Sequence, residues 1–387
     1  MDINFLSKTQ ILGYGTTQMR CVQPSEYLNS KGWCTGVGCI YRNLPTANKA
    51  IVFHRVNLDP HTSAVLAYAR AKGLVAIYDT DDLLYTDEAN NHLAGFLREK
   101  NQDRNNNLDM YRGYQEMMQR CDVVLVSTNY LKERAERFHS DVRLVKNGLS
   151  KWFEKKADIV IAHQHINDNR KVTIAYLSGS KHHDIDFKIV EEVLLKLLDE
   201  VPQAHLLIVG KINYSDLFHN YGDRFHYIPF MKYEEYWRVF EDIDINIAPL
   251  NMDDAFVQAR SEIKYMEAGV FGVPTIASPT QTYCEAIDNE VTGLLVKNDG
   301  WYNALQSLLL DGEKRTRLGE AARADVLENY SHDVRALQWD NMISEIIESY
   351  SGVAGENMFV VFMLKLKIIY LWLLKMIRIG RRKVSWS

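Results

Sequence analysis

The stretch SEIKYMEAGVFGVPTIAS, residues 261–278, sets a lysine and a glutamate three positions apart on an apolar helix that stops at Gly272, before a short buried strand. A helix that turns at one glycine into a short apolar strand reads as part of a parallel crossover, where the strand is covered on both faces. Extended backward to a helix beginning near Ala259, the segment puts Arg260, Lys264 and Glu267 at i, i+4 and i+7 on one face. Ile263, Met266 and Val270 fall on another, suited to packing on a sheet. Two cations can take a diphosphate by charge-assisted hydrogen bonds, and a carboxylate can accept from both hydroxyls of a ribose. The same spacing also describes an exposed Lys264–Glu267 pair, which contributes a few tenths of a kcal/mol.

Working outward, apolar strand segments alternate with helical ones. AIVFHRV (50–56), LVAIYDT (74–80), DVVLVST (122–128) and VRLVKNG (142–148) form one series. VTIAYLSG (172–179), AHLLIVGK (204–211), INIAPL (245–250) and VPTIAS (273–278) form a second. Between them lie amphipathic segments such as DFKIVEEVLLKLLDEVP, with Ile189, Val193, Leu194, Leu197 and Leu198 on one face. The pattern predicts an α/β protein of two Rossmann-like doubly wound domains facing a cleft. The polar run SKWFEKKADIVIAHQHINDNRK places the boundary near 165, giving domains over 1–165 and 166–350.

In such sheets ligands sit at the carboxyl ends of the strands. After VTIAYL comes SGSKHHDIDF, where Gly179 and Ser180 can form a phosphate loop and Asp184 or Asp186 can cap the next helix; an ordinary strand-to-helix turn has the same form. His54 and Arg55 end AIVFHRV. His54 is a candidate to hydrogen-bond a ligand hydroxyl, and Arg55 a phosphate. DTDD (79–82) is read as a capped turn rather than a metal site, with Asp81 or Asp82 as the cap. In PTQTYCE, Thr282 and Glu285 have capping-box spacing.

The chain has 387 residues, 47% of them apolar and 25% charged, with a net charge of −5, so nothing asks for a nucleic-acid partner. Five scattered cysteines without a C-x-x-C pair support neither a disulfide framework nor a zinc site, and fit a reducing cytoplasm. MDINFLSKTQ shows no secretory signal. Residues 356–387 differ from the rest, being apolar and basic. Lys367, Lys375, Arg378 and Arg382 share one helical face, while Lys365 lies outside it. Lysines interrupt the run too often for a spanning helix, so it is expected to lie in a membrane interface.

The second half resembles the nucleotide-sugar domain of GT-B glycosyltransferases of group 1, glycosyltransferase family 4, which are retaining. The likeness rests on YLSGSKHHDIDF, LLIVGK, INIAPL, SEIKYMEAGVFGVPTIAS, EAIDNEVTGLLV, Trp301 with LQSLLLD, and RTRLGEAARADVLENYS. The first half is similar at TTQMRCVQPSEYLNSKGW, IVFHRV, IYDTDDLLY, CDVVLVSTNYLKE and VRLVKNG. The resemblance implies a hexosyltransferase without bound metal or cofactor, using a UDP- or GDP-linked sugar. It also implies an acceptor-side N-terminal half, Glu267 on the ribose, and Arg260 and Lys264 on the diphosphate. With the tail, it implies a peripheral enzyme on the cytoplasmic face of the membrane, acting on a glycan or lipid-linked acceptor in surface polysaccharide or glycolipid assembly. The sequence departs from the family's E-x7-E pattern, because Ala259 stands where the first Glu belongs; Asn251, Asp253 and Asp254 are the candidates to replace it. That departure leaves a non-catalytic nucleotide-sugar-binding or scaffold subunit as the alternative, and a nucleotide-sugar epimerase as a third.

Overall fold

The computed structural model describes residues 1–8, 15–42, 45–85, 104–163, 171–179, 184–297, 299–350 and 358–384, with the side chains of 104–108, 163 and 375–384 left aside. The chain folds as two compact units. The first takes most of the chain up to Lys146 together with the chain from Ala336 onward, and the second runs Asn147–Arg335.

In the first unit, β1 (Ile3–Ser7), β2 (Thr35–Cys39), β3 (Ala50–His54), β4 (Val75–Thr80), β5 (Val123–Val126) and β6 (Val142–Leu144) make a parallel sheet ordered β2-β1-β3-β4-β5-β6. In the second, β7 (Val172–Ser178), β8 (Ala204–Gly210), β9 (Phe225–Ile228), β10 (Ile245–Ala248), β11 (Thr275–Ala277) and β12 (Leu294–Leu295) make a parallel sheet ordered β12-β11-β10-β7-β8-β9. The helices that bear on function are α1 (Gln23–Ser30), α2 (Pro60–Ala71), α3 (Lys151–His163), α4 (Asp184–Glu200), α5 (Ile263–Val270), α6 (Gln281–Ala286), α7 (Gly312–Tyr330), α8 (His332–Tyr350) and α9 (Met358–Val384). The two doubly wound halves are therefore present, and every strand named from the sequence lies in one of the sheets.

The division falls at Lys146 rather than near 165, for a packing reason. The run beginning KWFEKKADIVIAH is helix α3, not a linker, and its Phe153 is fully buried in the second unit. Phe153 stacks on Tyr233 and Tyr236 and meets Phe271 edge-on. At the other end, Ala336, Trp339, Ile343 and Ile346 form one face of α8 that joins Phe5, Val52 and Ile77 in the first unit's core. The ring of Trp339 lies edge-on to Phe5 at 6.0 Å. The end of the stretch expected to close the second domain thus returns to the first.

Two glycines are set by close approach. A Cβ at Gly210, whose φ is +111°, would lie 1.8 Å from the Ser178 carbonyl oxygen, at the carboxyl ends of β7 and β8. One at Gly319 would lie 1.9 Å from the Gly272 carbonyl oxygen, where α7 crosses the α5–β11 turn. Helix α2 starts with Pro60 and a capping box in which Asp59 accepts from the Thr62 N–H at 2.8 Å and Thr62 Oγ1 accepts from the Asp59 N–H at 2.7 Å.

Helix α9 packs along α2, burying Val361 and Ile368. Phe359, Phe362, Met363, Leu366, Tyr370 and Leu373 are exposed on the same helix, as are Lys365 and Lys367. No helix among the described residues is long and apolar enough to cross a membrane.

Because Phe153 anchors α3 in the second unit, Phe153→Ala should lower that unit's unfolding free energy by about 3–5 kcal/mol, as for other buried aromatic truncations. Urea unfolding followed by tryptophan emission measures it, and a loss below about 1 kcal/mol would contradict this packing.

Candidate functional site

In the second sheet the chain leaves β7 toward β8 on one side, while β10 lies on the other side of β7. Such a reversal of strand order opens a crevice between the loops that follow the two strands. Gly179 follows β7 and is exposed, with open space where a Cβ would stand. Ser180 lies outside the described residues. Asp184 and Asp186 open α4, and both reach beyond it. Asp184 accepts from the backbone and side-chain amides of Asn213. Asp186, 1% exposed, accepts from the Asn251 N–H at 2.9 Å and from Arg260 Nη1. One carboxylate therefore ties together α4, the loop after β10 and the turn before α5.

That turn corrects the expected helix start. A short helix, Ala255–Gln258, is capped by Asp254, which accepts from the Phe256 N–H at 2.9 Å, and α5 begins only at Ile263. The break is held by Glu262, which is buried and accepts from the Tyr330 hydroxyl at 2.9 Å. Arg260 thus lies in the turn rather than on the helix with Lys264 and Glu267, and it reaches the site through Asp186. Of the residues considered in place of the missing motif Glu, Asp254 is spent as this cap and the Asn251 backbone is held by Asp186.

Lys264 and Glu267 are one helical turn apart, on α5. The Lys264 ammonium is buried, lies 4.1 Å from the centre of the Tyr176 ring and has no hydrogen-bond partner among the described residues. Burial pushes it down to about 7, with Arg260 acting the same way against the attraction of Asp186 and Glu267. Burial pushes the Glu267 carboxyl up to about 7, against the Tyr236 hydroxyl, which donates to it at 3.1 Å, and against Lys264. An ammonium stripped of water and of partners is prepared to receive an anion. Tyr236 was not singled out from the sequence. It sits in the aromatic-rich run YEEYW, whose half-exposed pattern carries no signal for a carboxylate partner.

In the first unit His54 and Asp79 are register partners on β3 and β4, so the sheet itself brings them together. His54 Nδ1 is 2.7 Å from Asp79, and its Nε2 is 3.2 Å from Thr16 Oγ1. Asp79 also accepts from Arg20 Nε and Nη2. Burial opposes ionisation of Asp79, but Arg20 and His54 hold its carboxyl below the usual carboxylate range. With Asp79 on Nδ1, the ring is oriented and Nε2 is directed to the Thr16 hydroxyl. Arg20, Asp79 and Thr16 escaped the sequence reading because they come together only across strands and turns far apart in the chain.

Arg55 differs from expectation. Its guanidinium is held by Asp81 at 2.6 Å and Asp82 at 3.0 Å, so it braces the DTDD turn instead of standing ready for a phosphate. Its φ of 47° is a left-handed conformation at a non-glycine residue, at the carboxyl edge of the sheet where ligand sites form. Among the described residues no cluster of three or more potential metal ligands occurs. The cap of α6 also shifts: Thr280, not Thr282, accepts from the Tyr283 N–H, and Glu285 accepts from Gln281.

The two ionisations on α5 set a sign for pH dependence. Glu267 is protonated more readily folded than unfolded, so its contribution to stability falls as pH rises from about 4.5 to 7. Lys264 loses its proton more readily folded than unfolded, so its contribution rises from about pH 7 to 10.5. The thermal midpoint of the ligand-free protein, minus that of Lys264→Met/Glu267→Gln, should therefore pass through a minimum near pH 7; a pH-independent difference would contradict the burial of these groups.

Residues 161–325 match the model of the family described as Glycosyl transferases group 1. No curated protein matches the chain by sequence. Among solved structures, sucrose-phosphate synthase from Thermosynechococcus elongatus aligns with a TM-score of 0.61 and 16% identity, over 90% of this chain and 100% of that one. HepE of Anabaena, in complex with UDP, aligns at 0.58 and 12%, again over 90% and 100%. WaaG, a glycosyltransferase involved in lipopolysaccharide biosynthesis, aligns at 0.58 and 12%, over 88% and 99%. Residues 161–325, within the second unit, are thus similar to the group 1 glycosyltransferase family, and the chain has the two-sheet GT-B architecture of these structures.

Proposed function

We propose that the protein is a retaining glycosyltransferase that moves a sugar from a nucleoside diphosphate donor to an acceptor hydroxyl. The observation that carries this reading is the buried, unpartnered Lys264 ammonium beside the Asp186–Arg260 pair, at the strand-order reversal of a group 1 domain. A pyrophosphate offers that ammonium the oxygen partners it lacks. Glu267, one turn on and steadied by Tyr236, takes the ribose hydroxyls. HepE, which shares the fold, has been crystallised with UDP and with UDP-glucose, which supports a uridine nucleotide as the first donor to test.

Catalysis in this reading is electrostatic. As the bond from the sugar to the diphosphate breaks, negative charge grows on the leaving oxygen, and Lys264, Arg260 and the Gly179 N–H stabilise it without a metal. Their effect is largest where water is excluded. His54 acts on the acceptor side, its Nε2 hydrogen-bonding sugar or acceptor hydroxyl while Asp79 orients the ring.

The enzyme works at the cytoplasmic surface of a membrane, in surface polysaccharide or glycolipid assembly. The exposed apolar residues of α9, flanked by Lys365 and Lys367 and followed in the sequence by five further basic residues between 375 and 383, suit an interfacial helix on anionic lipid.

Three results test the proposal. UDP or GDP at about 100 times its dissociation constant should stabilise the protein by roughly 2.7 kcal/mol, read as a shift of several degrees in the thermal midpoint. Glu267→Ala should cut sugar transfer at least tenfold with an unchanged circular dichroism spectrum, whereas near-normal transfer would contradict its role. Phe362→Ser/Leu366→Ser/Tyr370→Ser should release the protein from phosphatidylglycerol vesicles, and unchanged flotation would sink the membrane reading. Nucleotide binding without transfer to any acceptor would favour a nucleotide-binding subunit.

A further inference from the structure

Where α9 lies against α2 within the first unit, it closes one side of a groove of about 190 Å³. Its walls are Ile40 and Tyr41 from the turn after β2, and Ile368, Ile369 and Trp372 from α9. Apolar atoms dominate these walls, and the volume exceeds the roughly 150 Å³ of an apolar cavity known to hold benzene. Arg42 and His61, the latter in the first turn of α2, supply the polar lining.

Two polar atoms in this lining are unaccounted for. His61 is 6% exposed, and its Nε2 lies 2.8 Å from the Ile40 carbonyl oxygen, so Nε2 carries the proton and Nδ1 is left as an acceptor. That Nδ1 is buried without a hydrogen-bond partner among the described residues. The indole Nε1–H of Trp372 is likewise buried without one. An orphan acceptor and an orphan donor in one apolar groove each carry a desolvation cost that a ligand would remove. A hydroxyl or a phosphate monoester, being both acceptor and donor, satisfies both.

The groove opens beside the exposed apolar side of α9, because Ile369 lines it and is itself 38% exposed next to Leu366, Tyr370 and Leu373. The groove and that exposed apolar surface therefore share Ile369. We propose that the groove binds one hydrocarbon chain of an anionic membrane lipid, with an oxygen of its headgroup between His61 Nδ1 and Trp372 Nε1 and its charge beside Arg42. Lys365 and Lys367, exposed on the same helix, complement that charge. The inference rests on the reading of α9 as a membrane-facing helix and deepens it: α9 both touches the bilayer and walls a site for a single lipid.

Dodecyl phosphate below its micelle-forming concentration is the probe, titrated calorimetrically into the full chain. One molecule should bind per chain, and inorganic phosphate, which lacks the chain, should give no heat. Ile369→Trp fills the mouth from an exposed position, and Trp372→Phe removes the donor while keeping the ring; each should weaken binding at least tenfold. Both variants should still float with phosphatidylglycerol vesicles, because Phe362, Leu366 and Tyr370 are intact. Vesicle flotation of the wild type without dodecyl phosphate binding would overturn the groove alone, and so would equal affinity in both variants. Failure of wild-type flotation would overturn the membrane reading together with it.

Discussion

The site in the second unit depends on one buried carboxylate. Asp186 fixes the backbone after β10 through the Asn251 N–H and fixes Arg260 through a charge-assisted bond, so three segments far apart in sequence are held around it. Removing it would delete one partner of a partly buried ion pair, the costly way to break one. It also sets the field at Lys264: its attraction favours the charged ammonium, while Arg260 and burial oppose it. The outcome is a lysine close to neutrality in the empty protein, which is cheaper than burying a bare cation.

The first unit reaches a comparable arrangement by a different route. There the parallel register places His54 opposite Asp79 at the carboxyl ends of β3 and β4, and Arg20 completes the neutralisation from a turn of helix. The histidine is oriented by a carboxylate that is itself kept ionised. In both units the polar groups are collected at the carboxyl edge of a parallel sheet, where strands stop and backbone N–H groups have no ladder partner.

Much of the fold was legible in the sequence because fully covered parallel strands read as unbroken apolar runs. The runs missed were those lacking that signature. β2 is the glycine-rich edge TGVGC, β9 is a half-exposed edge, β12 has two residues, and β1 lies in a segment considered only for targeting. Helix α3 was hidden by its lysines, although Phe153, Ala157 and Val160 keep helical spacing. The site was legible where it is local: Lys264 and Glu267 lie one turn apart on a single helix. Asp186 was noticed but given an ordinary capping role, and Tyr236, Asp79 and Arg20 are tertiary partners that no spacing rule connects. Arg260 was found for a reason the structure replaces, since a turn and an ion pair, not a helix face, deliver it.

The central claim is that a nucleoside diphosphate completes the coordination of Lys264. Its most direct test is calorimetric titration of UDP and GDP at pH 8 in buffers of different ionisation enthalpy, with Lys264→Met alongside. Burial pushes the Lys264 ammonium down to about 7, and a diphosphate beside it would favour the charged form, so binding at that pH draws in a proton. Binding should therefore take up about one proton per nucleotide in the wild type and none in Lys264→Met, with affinity at least tenfold weaker in the variant. Equal affinity for the two proteins, with no proton taken up by either, would contradict the account.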